Sequence, residues 1–267
     1  MGHVKWSAMA LERGEVTLRG WDSGGRRAPL VLLHGLAGYA GEWCLTAHGL
    51  VDRFRVLALD QRGHGASSRR PADVSQHAFV DDVTAVIDEL ADGEPVTLVG
   101  QSMGAHTAML TAAARPGAVD RLVMVEGGLG GEGSAAVERL AGRLASWPVP
   151  FPSREAAVSF FGGKTAAAHA CAGGLESRHD GFWPRFDQDI MVAALTSVAA
   201  RSRLQEWAVL TQPTMLVLGD HGSVDPDELA RMRAARPDTE VALIANAGHD
   251  IHLEQPRALL RVLEGFL

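Results

Sequence analysis

Apolar positions along this chain recur with two different periods, and the two kinds of segment take turns. Runs 30–33, 55–59, 96–99, 121–125 and 214–218 are short and predominantly apolar, and 240–244 adds a sixth. Apolar runs of this length predict strands buried on both faces of a parallel sheet. Near the start, 4–10 and 15–21 alternate instead, with Arg13-Gly14 between them, which predicts a β-hairpin. The intervening segments follow a helical period. Val80, Val83, Val86, Ile87 and Leu90 share one helix face, 102–114 is rich in Ala, Met and Leu without proline, and 257–266 is amphipathic. Strands that alternate with helices predict an α/β fold built on a mostly parallel, doubly wound sheet.

From 128 to 207 this rhythm stops. The stretch has no convincing β-run, holds Trp147, Trp183 and Trp207, and includes Trp147-Pro148-Val149-Pro150-Phe151-Pro152. Segments 153–161 and 187–202 carry helical patterns. A helical cap over the carboxyl edge of the sheet is expected, with Gly127-Gly128-Leu129-Gly130-Gly131 as its entry hinge. The expected division is 1–127 and 208–267 as core, 128–207 as cap.

Composition narrows the class. The 267 residues are 46% hydrophobic and 21% charged, ordinary for a globular enzyme, with a net charge of -7. A negative chain without a basic run argues against nucleic acid or an anionic membrane as main partner. Cys44 and Cys171 are far apart and form no CxxC, so two free thiols in a reducing compartment are expected. No secretory signal is visible, and no apolar stretch reaches the roughly 18 residues needed to span a bilayer. A cytoplasmic location is expected.

The chemistry gathers at strand ends. Gly100-Gln101-Ser102-Met103-Gly104 is a G-x-S-x-G sequence between the strand 96–99 and the helix that follows. A serine on so sharp a turn needs small neighbours, and the turn aims free helix N–H groups at the site. A serine hydroxyl needs a base to become a nucleophile. Of eleven histidines, His249 lies on the loop after the last strand, within reach of the same edge, with His252 its nearest competitor.

Together with His34-Gly35-Leu36-Ala37-Gly38, Asp60-Gln61-Arg62-Gly63-His64-Gly65 and Gly248-His249, this segment resembles the α/β-hydrolase family over nearly the whole chain. The resemblance implies an oxyanion hole from the backbone N–H groups of Leu36 and Met103. It also implies a structural role for Asp60, Arg62 and His64. In many relatives the triad acid is an aspartate about three residues past a glycine, after the strand matched here by 214–218. Here position 222 is glycine, while Asp220 comes early and Asp225 late, where it could cap a helix. Haloalkane dehalogenases place the acid one strand earlier, where this chain has Glu126. A glutamate between an apolar strand and a glycine run needs a partner, and an imidazolium would supply one. Glu126 is therefore favoured, with Asp225 and then Asp220 as alternatives.

The expected reaction is acyl transfer through Ser102 and His249, cleaving an ester, thioester or lactone of a small, largely hydrophobic substrate. No cofactor or metal is expected. Epoxide or halide chemistry in similar folds uses an aspartate nucleophile, and epoxide opening also needs a tyrosine pair, whereas this chain has Tyr39 alone. Trp43, Trp147, Phe151, Phe161 and Trp183 are the expected pocket walls, and Arg185 and Asp187 form either a substrate contact or a cap salt bridge. The alternatives are a lyase or other non-hydrolytic enzyme that reuses the triad, and a ligand-binding receptor on the same fold. Oligomeric state stays open.

Overall fold

A computed structural model describes residues 6–91 and 93–267. The chain opens with β1 (Ser7–Arg13) and β2 (Val16–Asp22), then β3 (Pro29–Leu33), α1 (Cys44–Leu50), β4 (Arg55–Asp60), α2 (Gln76–Leu90), β5 (Val96–Gln101), α3 (Met103–Ala114) and β6 (Val119–Val125). The insertion follows as α4 (Ser134–Ala145), α5 (Arg154–Phe160), α6 (Ala166–Gly173), β7 (Glu176–Arg178), β8 (Gly181–Trp183), α7 (Gln188–Ala199) and α8 (Leu204–Ala208). The chain then returns with β9 (Thr214–Gly219), α9 (Pro226–Ala235), β10 (Glu240–Ile244), α10 (Ile251–Glu254) and α11 (Pro256–Phe266).

Eight strands form one sheet in the order β1-β2-β4-β3-β5-β6-β9-β10, antiparallel through β1, β2 and β4 and parallel from β4 onward. The expected hairpin starts and ends later than its alternation suggests, because Gly14 takes a φ of 59° and pairs Arg13 with Val16. Val4 and Lys5 lie outside the described residues.

Every residue of β3 is buried, and alternate side chains feed opposite cores. Leu30 and Leu32 join Leu50, Leu259 and Leu263 on the face covered by α1 and α11. Val31 and Leu33 join Val86, Ala108 and Met109 on the face covered by α2 and α3. Each fully buried aliphatic side chain stabilises the fold by about 2 kcal/mol, so the apolar runs make the centre of the sheet its most rigid part. The strand ends carry Ser102 and Glu126 and the loops that bear Leu36, Ser223 and His249.

The insertion departs from the purely helical expectation. β7 and β8 form a small antiparallel ribbon, which Phe151 extends by a bridge to Phe182. Three-residue strands are too short to show a period of two. Nor is the glycine run a free hinge. The N–H of Gly131 bonds Val198 O (3.2 Å), that of Gly133 bonds Ala199 O (3.2 Å), and that of Arg203 bonds Leu129 O (2.9 Å). A Cβ on Gly130 or Gly131 would lie 2.6 Å from Val198 O or 2.5 Å from Ser202 N. Glycine is needed there because the strand leaving the core is stitched to the end of α7.

Among the described residues, no helix is long and apolar enough to cross a membrane. Cys44 and Cys171 are both free.

Candidate active site

The sheet register sets the site. Leu33 lies opposite Gly100, Gln101 opposite Val125, and Val125 opposite Val217. Ser102 and Glu126, each the residue after its strand, therefore leave the carboxyl edge at one level. Four non-glycine residues have positive φ among the described residues: Ala37 (64°), Ser102 (52°), Glu126 (48°) and Asn246 (55°). All four follow closely on the ends of β3, β5, β6 and β10. Left-handed backbone is costly for such residues and concentrates where geometry serves function.

Ser102 holds its strained turn through its N–H to Val125 O (2.9 Å), and its own carbonyl accepts from His106 N (3.0 Å). The flanking glycines are steric necessities. A Cβ on Gly100 would lie 2.3 Å from Gly104 O, and one on Gly104 2.4 Å from Leu33 O. Gly35 plays the same part from β3, since its Cβ would lie 2.1 Å from Gln101 Oε1 and 3.3 Å from Ser102 Cβ. This close approach brings Leu36 to the serine. Neither the Leu36 nor the Met103 N–H meets an acceptor among the described residues, and both residues line the cavity that contains Ser102. Two free donors beside a hydroxyl can stabilise an oxyanion.

Asp60 and its neighbours support that loop from beneath. The Asp60 carboxylate accepts from Ala40 N (2.6 Å) and Ala66 N (2.9 Å), tying the 36–40 loop to the turn after β4. Arg62 is bidentate to Asp82 at 2.7 and 2.6 Å, both buried. His34 donates from Nδ1 to Gly35 O (2.7 Å) and accepts at Nε2 from Gln61 N (3.0 Å). These are framework contacts.

His249 lines the same cavity, and Gln101 Nε2 fixes its backbone by bonding His249 O (2.9 Å). Its Nδ1 lies 2.7 Å from Ser223 Oγ and 3.5 Å from Glu126 Oε2. The Ser223 hydroxyl donates in turn to Glu126 Oε2 (3.2 Å), so imidazole, hydroxyl and carboxylate form a chain. The carboxylate also accepts from Gly219 N (2.9 Å) and Ser223 N (2.7 Å). Burial alone would raise the Glu126 pKa, but the bonds from His249, Ser223 and Gly219 outweigh it and hold the pKa below the ordinary range. Glu126 is therefore an anion at neutral pH, aimed at His249.

Gly222 makes room for the Glu126 carboxylate. A Cβ there would lie 2.0 Å from Glu126 Oε1 and 2.6 Å from its Cδ. The Glu126 carboxylate fills the space a side chain at 222 would take. The alternative acids are engaged elsewhere. Asp220 accepts from Asn246 N and Ala247 N (3.0 and 3.1 Å), bracing the histidine loop, and Asp225 caps α9 through Asp227 N and Glu228 N (2.8 and 3.3 Å). Asp225→Ala is expected to cost about 1 kcal/mol of stability, the usual worth of an N-cap, and to leave kcat near that of the parent. Chemical denaturation and steady-state kinetics check both halves.

His252 is buried, with its ring 4.8 Å from that of Trp43 and its Nε2 3.5 Å from Glu42 Oε2. Cys171 lines the cavity, but burial first, then Glu42 and Asp250, push its thiol up to about 12. It is not a competing thiolate at neutral pH.

The cavity has a volume of ≈ 810 Å³. Of the expected walls it includes Trp147 and Phe161 and lacks the other three. Trp43, in the short 3-10 turn at 40–43, is fully buried and packs against His252. Phe151 is buried inside the insertion with Ala157, Ala172 and Leu175. Trp183 lies on β8 at a separate, smaller hollow, its Nε1 bonded to Asp180 Oδ1 (2.9 Å) and its ring under Arg178. In their place α4, absent from the sequence expectation, contributes Leu140 and Leu144, while Phe186 enters from the loop after β8.

Residues 28–256 match the family described as alpha/beta hydrolase fold. The chain is 30% identical over 236 residues to the N-formylmaleamate deformylase of Pseudomonas putida, covering 85% of this chain and 84% of that protein. It is 27% identical over 263 residues to the 2-(acetamidomethylene)succinate hydrolase of Mesorhizobium japonicum, covering 95% and 92%. It is 29% identical over 259 residues to an sn-1-specific diacylglycerol lipase of Mus musculus, covering 89% and 80%. The fold superposes on a crystal structure of E-2-(acetamidomethylene)succinate hydrolase with a TM-score of 0.88 at 23% identity, covering 98% and 99%. Matched over most of its length, and built on an eight-stranded, mostly parallel sheet flanked by helices, the chain belongs to the alpha/beta hydrolase fold family.

Proposed function

We propose that this protein is a serine hydrolase that cleaves a carboxylic ester-type bond of a small molecule through an acyl-enzyme on Ser102. The observation that carries the reading is the left-handed Ser102 turn, in one cavity with His249 and beside the free N–H groups of Leu36 and Met103. His249 Nε2 takes the Ser102 proton as Oγ bonds to the substrate carbonyl carbon, and the two N–H groups hold the developing oxyanion. The imidazolium returns that proton to the leaving alcohol or thiol. Water, deprotonated by the same imidazole, then attacks the acyl-enzyme and releases the acid. Glu126, through Ser223, keeps the Nδ1 proton in place and stabilises the charged ring.

The insertion, 128–207, serves as a cap whose Leu140, Leu144, Trp147, Phe161 and Phe186 form the apolar wall for the acyl group. Two relatives have names specifying an acetamido and an N-formyl group, so acyl–nitrogen bonds belong in the substrate screen beside esters.

The test is labelling plus burst kinetics. A fluorophosphonate is expected to modify Ser102, and 4-nitrophenyl butyrate to give a burst close to one equivalent per site when deacylation limits turnover. Both are lost in Ser102→Ala. A wild-type protein that neither takes the label nor turns over any short ester overturns the hydrolase reading in favour of a lyase or a binding protein.

A further inference from the structure

Asp187 is not the partner of Arg185. Its carboxylate accepts from Arg69 Nε (2.7 Å) and Arg70 Nη1 (2.6 Å), which join the insertion to the segment after β4. Arg69 also donates from Nη2 to Pro184 O (3.0 Å) and Phe186 O (2.9 Å), the carbonyls on either side of Arg185. The Arg185 backbone is thus clamped from both sides while its acidic neighbour is taken away. Arg185 is half-buried and lines the Ser102 cavity, and its guanidinium has no ion pair or hydrogen bond among the described residues. Asp60 feels its charge, but both Asp60 oxygens are already committed to Ala40 and Ala66 N–H.

Two further cations line this cavity from α4. Arg139 and Arg143 stand four apart on one helix face, also without a carboxylate partner among the described residues. Both are exposed, and like charges at that spacing repel, a cost that an anion between them would offset. Of the carboxylates in the lining, Glu42 faces His252, Glu126 faces His249, and Glu228 accepts from Leu129 N (2.6 Å). Glu132 and Asp250 are left, Glu132 two residues before α4 and Asp250 directly before α10, and neither forms an ion pair with Arg139, Arg143 or Arg185 among the described residues. Unpaired guanidiniums therefore lie on the insertion side, above an apolar wall.

We propose that Arg185, seconded by Arg139 and Arg143, anchors a carboxylate on the acyl portion of the substrate, so that the preferred substrates are hemiesters or hemiamides of dicarboxylic acids. This rests on Ser102 being the acylating residue, and it replaces the purely hydrophobic acyl group that the aromatic insertion suggests. Arg suits the role because its planar fork meets a carboxylate with two bonds and stays charged at any working pH. The apolar wall packs the methylenes between the two carbonyl carbons.

The experiment compares 4-nitrophenyl hydrogen adipate with 4-nitrophenyl hexanoate, which differ by a carboxylate in place of a methyl group. The wild type is expected to favour the hemiester in kcat/KM by about tenfold or more, the worth of one charge-assisted hydrogen bond. In Arg185→Gln that ratio falls toward unity, chiefly through KM, and Arg185→Lys recovers part of it. A wild-type ratio at or below one, or a ratio unchanged in Arg185→Gln, overturns the proposal. Calorimetric titration with adipate of the wild type and Arg185→Gln is run alongside and does not depend on turnover. If Ser102 takes no label and no ester is cleaved, the hydrolase reading fails, and adipate binding decides the anchor by itself. Binding that disappears in Arg185→Gln keeps the anchor, while absent or equal binding removes it.

Discussion

Glu126→Gln is expected to lower kcat by roughly 10³- to 10⁴-fold, the loss typical when a triad acid becomes an amide. The amide cannot reproduce the site. Glu126 Oε1 and Oε2 accept from the N–H groups of Gly219 and Ser223, and Oε2 also accepts the Ser223 hydroxyl. A glutamine side chain must turn its NH2 toward one of these donors, and it carries no charge to offset the imidazolium. Some stability goes with it, about 1–3 kcal/mol for a buried donor left unpaired, so unfolding curves are measured beside the kinetics.

A second pair of variants separates the charge from the residue that bears it. Gly222→Asp alone is expected to be nearly inactive, because its Cβ would collide with the Glu126 carboxylate 2.0 Å away. Combined with Glu126→Ala, the same Gly222→Asp places a carboxylate in the vacated volume and is expected to recover at least about tenfold over Glu126→Ala. Near-parental activity in Glu126→Gln, or no recovery in the double variant together with an inactive Asp225→Ala, would move the acid elsewhere.

The reciprocal fit of positions 126 and 222 also shows where the sequence is readable. The glycine at 222 is visible as a vacant acid position, and Glu126 is visible as a glutamate stranded between an apolar strand and a glycine run. Ser223 is not visible in that way. Its place between His249 and Glu126 depends on the turn after β9, where Gly222 N bonds Gly219 O (3.0 Å). The parallel core strands are legible because burial on both faces demands continuous apolar runs. The insertion is less so. In α4 only Leu140 and Leu144 are buried, and the helix starts after Gly133 with no side chain to cap it, so nothing at its N-terminus announces a helix. The aromatic residues of 147–183 look equivalent in sequence. Only their packing separates Trp147, which lines the cavity, from Phe151, which fills the insertion's own core.

Acidification is expected to destabilise the protein steeply between pH 6.5 and about 4, well before most carboxylates protonate. Three histidines are buried as neutral rings. Burial first lowers His34 to about 4, His64 to about 3 and His106 to about 4, with His34 further lowering His64 across 5.0 Å and His252 further lowering His34. The direction follows from proton counting. In the unfolded chain each ring protonates below pH 6.5, while in the folded protein it stays neutral down to about 4. The unfolded state therefore binds more protons in that window, and stability falls as pH falls. At pH 5 each ring contributes roughly 2 kcal/mol of lost stability, at 1.36 kcal/mol per pKa unit. Asp60 and Glu228, whose pKa values burial raises, act in the opposite sense over part of the range. His34 makes the cost concrete, because a proton on Nε2 must expel the Gln61 N–H it accepts. Urea unfolding at pH 7.5, 6.5, 5.5 and 5.0 should show a slope that flattens by about one third in His106→Gln, since one of three rings no longer titrates. Equal unfolding free energies at pH 7 and pH 5 would mean that these rings are protonated in the folded protein and that the burial assigned to them is wrong.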